Sequence, residues 1–128
     1  MMILLPGRAG GRVLKLPRLS FWGGVDPFSG KLTDPALPHC GESVAGRVLM
    51  IAEPVGSSSS SAVLLELLHA GTAPAAIVLG RNDAIVGLGI LVAREMGWAT
   101  IPLLVMAPAE QEKIADGETM EIGQGSIE

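Results

Sequence analysis

Arg47-Val48-Leu49-Met50-Ile51, then Gly56 with the serine run Ser57 to Ser61, then Ala62-Val63-Leu64-Leu65-Glu66-Leu67-Leu68-His69-Ala70 up to Gly71, is the stretch that decides the fold. Five apolar-rich residues form a buried strand that ends at Glu53-Pro54. The run after the serines has helical length and good helix formers, with Gly71 as its C-terminal stop and a serine before it as N-cap. The same alternation follows at once. Ala75 to Leu79 reads as a second buried strand. Asn82 or Asp83 caps a helix over Ala84 to Met96 that Gly97 closes, and Ile101 to Met106 is a third strand. Apolar strands separated by helices predict right-handed crossovers and a parallel sheet covered by helices, an α/β fold.

Val13 to Leu16 is a short first strand. Leu19 to Trp22 continues it after the Pro17-Arg18 break, because proline donates nothing to a ladder. Between Gly23 and Gly46 the turn formers Gly23-Gly24, Asp26-Pro27, Ser29-Gly30, Asp34-Pro35 and Pro38 predict a long structured loop. A short helix over Pro108 to Asp116 and an edge strand over Glu118 to Ile122, before a polar end, complete the domain. Trp22 and Trp98 read as packing or subunit-interface residues. With 128 residues, 48% hydrophobic and 17% charged, the expectation is one folded domain over 1–128, with a core of aliphatic and alanine side chains.

Composition excludes several functions. A net charge of -4 lacks the clustered excess of Lys and Arg that phosphate neutralisation needs, so no nucleic acid is expected. Met1 to Leu5 is too short for a signal sequence, and the apolar stretch Ile85 to Ala93 is about half of what a bilayer requires. The chain is therefore expected off the membrane, in the cytoplasm. Cys40 is the only cysteine, which leaves no internal disulfide and no iron–sulfur cluster ligated by this chain alone. His39, Cys40 and His69 lack metal-ligand spacing and are given structural or surface roles, so no metal is assigned to the chain.

The serine run is the candidate site. At a strand-to-helix junction the first N–H groups of the helix are unpaired and carry the positive end of its dipole. Gly56 lets the backbone approach a ligand, and Ser57, Ser58 and Ser59 add hydroxyls, which together make a receptor for a carboxylate or phosphate, or a seat for a reactive hydroxyl. A serine needs a base, a cation or a metal to become reactive. The G-x-S-x-G elbow and the Gly-Lys-Ser/Thr of a phosphate loop are both absent. Residue chemistry alone leaves this reading level with two others, a helix cap and a flexible linker. Gly24 and Asp26 are candidates for the mouth of the site, though Asp26-Pro27 is equally an ordinary turn, and Asp83 reads as a helix cap.

Four stretches in order, Ser20-Phe21-Trp22-Gly23-Gly24-Val25-Asp26-Pro27, Gly41 to Leu49, Gly56 to Glu66, and Gly71 to Val78 leading to Asp83-Ala84-Ile85-Val86, resemble the small subunit, or swivelling domain, of the aconitase X family. The resemblance runs from about residue 8 to residue 122. It implies a swivelling β/β/α domain that closes over a larger, iron–sulfur-bearing subunit, and loss of water from a small β-hydroxy carboxylate with iron as Lewis acid. Gly56-Ser57-Ser58 looks like the counterpart of the Gly-Ser-Ser-Arg-Glu stretch of the wider aconitase superfamily, which makes Ser57 the proton-abstracting residue, with Gly56, Ser58, Ser59 and Ser61 around the substrate. The arginine of that stretch falls on Ser59, so Arg81 or an arginine of the partner is left to hold a carboxylate. Ala84 stands where relatives often have proline, and Pro38-His39 where they often read His-Pro. A full Ser57 to Ser61 run is similar to that of bacterial cis-3-hydroxy-L-proline dehydratases. Members of archaeal type resemble dehydratases of mevalonate 5-phosphate. A non-enzymatic module binding an anion or a protein is the alternative of another class.

Overall fold

A computed structural model describes residues 1–123. Ten elements follow one another: β1 (Met2–Leu5), β2 (Ala9–Leu19), α1 (Phe21–Gly24), β3 (Val48–Pro54), α2 (Ser60–Ala70), β4 (Ala76–Leu79), α3 (Ala84–Glu95), β5 (Leu103–Val105), α4 (Pro108–Gln111) and β6 (Thr119–Ile122). They build a six-stranded sheet in the order β1-β5-β4-β3-β2-β6. Its centre, β2 to β5, is parallel, as the strand–helix alternation predicts. Both edges are antiparallel.

Alternation along the buried strands feeds two cores. Leu14, Leu16, Leu49, Ile51, Ile77 and Leu79 point to the face covered by Val63, Leu64 and Leu67 of α2 and Val86 and Ile90 of α3. Val13, Val48, Met50, Val78 and Leu104 point the other way, onto Met106, Met120 and Ile122. Gly71 stops α2 as expected: at φ 77° it takes the left-handed conformation, and its N–H reaches the carbonyls of Leu67 and Leu68. Asp83 caps α3, its carboxylate accepting from the N–H groups of Ile85 and Val86.

Four local expectations change. Met2–Leu5, read only as too short for a signal sequence, is an edge strand paired with β5. Pro17 does not break β2. Past Arg12 the outer side of β2 has no strand beside it, which is where a sheet tolerates a residue without an N–H. Leu19 therefore ends β2, and Phe21–Gly24 is a helical turn rather than more strand, with Trp22 and Gly23 already outside helical φ/ψ. The helix predicted over Pro108 to Asp116 stops at Gln111 and turns follow. The polar residues after Gly123 lie outside the described range. The long loop is structured, held by the bridges Val25–Leu32 and Lys31–Ser43 and by buried Leu32, Leu37 and Val44.

Candidate functional site

The carboxyl ends of parallel strands carry the loops of an α/β sheet in which ligands bind. Here β2 ends at Ser20 and α1, β3 at Val55 and the serine loop, and β4 at Gly80 and Arg81. The Val55 N–H donates to Leu19 O at 2.9 Å, which ties the base of the serine loop to the end of β2. Between them lies an open groove of about 280 Å³ whose wall includes Arg18, Trp22, Gly24, Leu37 and Val55. Trp22 is 63% exposed at its rim and Trp98 instead packs its ring on His69, with centroids 5.1 Å apart.

The serines differ sharply in environment. Ser57 is half-buried, and its Oγ accepts the Ser59 N–H at 3.3 Å. Its carbonyl accepts the Ser60 N–H at 3.0 Å, so the loop winds directly into α2. Ser58 and Ser59 are exposed, and Gly56, also exposed, leaves open space where a Cβ would stand. Ser61 Oγ turns back to Ser58 O at 3.4 Å. The expected serine cap takes another form: Ser59 occupies the N-cap position without a side-chain cap bond, and Ser57 supplies the nearest hydroxyl acceptor. The structure thus brings Gly56, Ser57, Ser58, Ser59 and Ser61 together at the positive end of an 11-residue helix.

Ser60 lies within the candidate run but has no role of its own assigned to it. It is 3% exposed, and its Oγ has no hydrogen-bond partner among the described residues. Its signal was helical spacing, since Ser60, Val63, Leu64 and Leu67 make one buried stripe of α2.

Gly24 lines the groove, whereas Asp26 does not. The Asp26 carboxylate accepts the N–H groups of Phe28 at 2.8 Å and Ser29 at 3.3 Å, a self-closed turn. Those backbone donors hold its carboxyl below the ordinary carboxylate range. Cys40 is exposed, and its Sγ donates to Leu32 O at 3.7 Å. His39 stands away from the serine loop: Nδ1 lies 2.6 Å from Glu42 Oε2 and Nε2 lies 2.6 Å from Asp116 Oδ2. Carboxylates facing both ring nitrogens favour the doubly protonated ring, in which each nitrogen donates. Burial pulls its pKa down, and the bonds and charges of Glu42 and Asp116 outweigh that and raise it.

Among the described residues no three His, Cys, Asp or Glu side chains gather as metal ligands. One exposed thiol does not fit an iron–sulfur cluster. No helix of the described residues is long and apolar enough to cross a membrane.

A curled α/β sheet with a polar loop at its carboxyl edge defines a swivel-type domain, and the chain belongs to the aconitase X swivel domain family, whose model matches residues 1–128. Over 122 residues it is 41% identical to the cis-3-hydroxy-L-proline dehydratase of Pseudomonas aeruginosa, covering 89% of this chain and 21% of that protein. It is 47% identical over 72 residues to the phosphomevalonate dehydratase small subunit of Methanopyrus kandleri, covering 56% of this chain and 53% of that one. The chain therefore spans about a fifth of the one relative and about half of the other. The crystal structure of Thermococcus kodakaraensis aconitase X in its holo form superposes with a TM-score of 0.83 at 28% identity, covering 99% of this chain and 95% of that chain.

Proposed function

We propose that this chain is the swivelling small subunit of a hydro-lyase that removes water from a small β-hydroxy carboxylate, cis-3-hydroxy-L-proline, to give a pyrroline carboxylate. The single observation that carries this reading is the Ser57 hydroxyl, half-buried at the start of α2 and accepting a backbone N–H. A hydrogen bond and a dipole that favour negative charge on oxygen lower the cost of an alkoxide, the form in which serine takes a proton.

In the reaction the C–H bond beside the carboxylate breaks, its proton goes to Ser57, and its electron pair becomes the new double bond as the C–O bond of the next carbon breaks. The hydroxide released, whose charge a Lewis acid of the partner would stabilise, and the proton taken by Ser57 together make up the water lost. Ser58, Ser59 and Ser61, with the open backbone at Gly56, surround the substrate, and Gly24 shapes the neighbouring groove. Asp26 supports that wall through its turn rather than by touching substrate. The iron–sulfur cluster is assigned to a larger partner subunit, because this chain's donors do not fit it, and the assembly works off the membrane in the cytoplasm.

A second reading, dehydration of mevalonate 5-phosphate, is favoured by the 47% identity to a phosphomevalonate dehydratase small subunit. Co-expression with a large subunit under anaerobic conditions, followed by assays on both substrates, separates the two. With the preferred substrate, Ser57→Ala is expected to lower kcat by about 10²- to 10⁴-fold, the usual range for a general base. Full activity in that variant would remove Ser57 from the mechanism.

A further inference from the structure

The sheet assembles a row of charges at its carboxyl edge that no single stretch of sequence contains. In the β2–β3 register Leu16 lies beside Ile51 and Arg18 beside Glu53. In the β3–β4 register Ile51 lies beside Leu79. Two residues further along, Arg81 falls opposite Glu53, and its Nε donates to Glu53 Oε1 at 2.8 Å. Leu16, Ile51 and Leu79 all belong to the core beneath α2 and α3. Side chains two apart on a strand share a face. Arg18 and Glu53 therefore continue that face past the end of its apolar core, and Arg81, in the bend just after β4, joins them through its bond to Glu53.

Arg81 is also locked in place. The Gly80 N–H donates to Ile51 O at 2.8 Å, and a Cβ on Gly80 would stand 1.8 Å from Ala52 O, so only glycine permits so close an approach to β3. Arg81 Nη2 donates to Pro54 O at 2.6 Å, which sets the guanidinium at the foot of the serine loop. Two cations flank one carboxylate, leaving the row with one net positive charge. Four of the other cations are committed elsewhere: Arg12 to Gly117 O, Arg47 to Arg12 O and Val13 O, Lys15 to Gln111 O and Ile114 O, and Arg94 to Thr100 and Pro6 O.

We infer that Arg81, oriented by Glu53 and Pro54 O, is the residue by which this chain holds the carboxylate of its substrate, with Arg18 as the second cation of the site. The inference rests on the proposed dehydratase reading and deepens it. It supplies the cation that the serine loop lacks, since Ser59 offers only a hydroxyl, and it makes discrimination between a carboxylate and its neutral amide a property of this chain. The free edge of the guanidinium faces a carboxylate in the fork geometry that arginine favours.

The test uses the complex of this chain with its large subunit. Arg81→Gln is expected to raise KM for cis-3-hydroxy-L-proline at least about tenfold while kcat falls less, and Arg81→Lys to lie between it and the unaltered complex. The decisive readout is the ratio of inhibition constants for pyrrole-2-carboxamide and pyrrole-2-carboxylate, planar analogues of the product. That ratio should collapse about tenfold in Arg81→Gln and persist in Lys113→Gln, which removes an exposed cation away from the site. An unchanged ratio and KM in Arg81→Gln, in a complex that turns over the substrate, overturns the inference and leaves the dehydratase reading standing. Should Arg81→Gln fail to assemble, Arg81→Lys decides by the same ratio. An unaltered complex inert toward the substrate defeats the dehydratase reading itself.

Discussion

Replacing His39 by Asn tests the imidazolium clasp that joins the long loop to the turn before β6. The residue sits at φ 66°, a left-handed conformation that Asn also tolerates, so the substitution removes charge without adding backbone strain. His39 reaches Asp116, 77 positions away, and Glu42, which also lies 3.6 Å from the Arg47 guanidinium. Asp116 further accepts the Lys15 N–H at 2.9 Å. Both carboxylates are partly solvated, with side-chain exposures of 52% and 42%, so each pair takes the modest value of a surface ion pair rather than that of a buried one. The loss of the His39–Asp116 pair is about 0.5–1 kcal/mol, and the exposed Glu42 acts in the same direction. For a chain of this size that is roughly 2–4 °C in Tm at pH 6. The pH dependence has a fixed sign. The folded pKa of His39 lies above the unfolded 6.5, so its contribution is complete below that value and disappears as pH rises through the folded pKa. The hydrogen bond to His39 holds Glu42 below its ordinary range; at Asp116 burial opposes, and the bonds from Lys15 and His39 prevail, so the clasp also fails in acid as these two protonate. Thermal melts of the full chain and of His39→Asn from pH 5 to 10 read this directly. The two curves should converge at high pH and in 1 M salt. A deficit as large at pH 9.5 as at pH 6 would refute the clasp and leave His39 a packing residue.

Gly80→Ala forces a methyl against Ala52 O and strains the bond to Ile51 O. Overpacking and one weakened hydrogen bond cost about 2–4 kcal/mol, about 7–15 °C in Tm. A melt within 2 °C of the unaltered chain would contradict the close approach. Ser60→Ala removes a buried hydroxyl without a partner among the described residues, and is expected to raise stability by about 1 kcal/mol in denaturant titration. A loss there would mean that the hydroxyl has a partner in solution.

How much was legible depended on range. The parallel β3–α2–β4–α3–β5 alternation stands in the sequence because strand and helix periods, the Gly71 stop and the Asp83 cap are decided by residues within a turn of one another. So is the serine loop, which any reading places between a strand and a helix. The burial of Ser60 is written in its helical spacing, but composition does not set it apart from the four other serines of the run. The extent of α4 is not legible for a non-local reason: nothing in Glu112 to Asp116 marks a break, while the Gly117 N–H reaches Val13 O at 2.8 Å across the sheet.

By itself, then, the sequence determined an α/β chain with a polar loop at a helix start. Tertiary structure alone decided that Met2–Leu5 covers β5, that Pro17 lies on an unpaired edge, that His39 meets Asp116, and that Arg18, Glu53 and Arg81 stand in one row. The reason is physical. Side-chain direction within an element repeats every few residues, but the register between strands is set by packing the whole sheet between two cores, and one residue of slip would turn Arg18 or Glu53 to the opposite face and leave Arg81 without its partner.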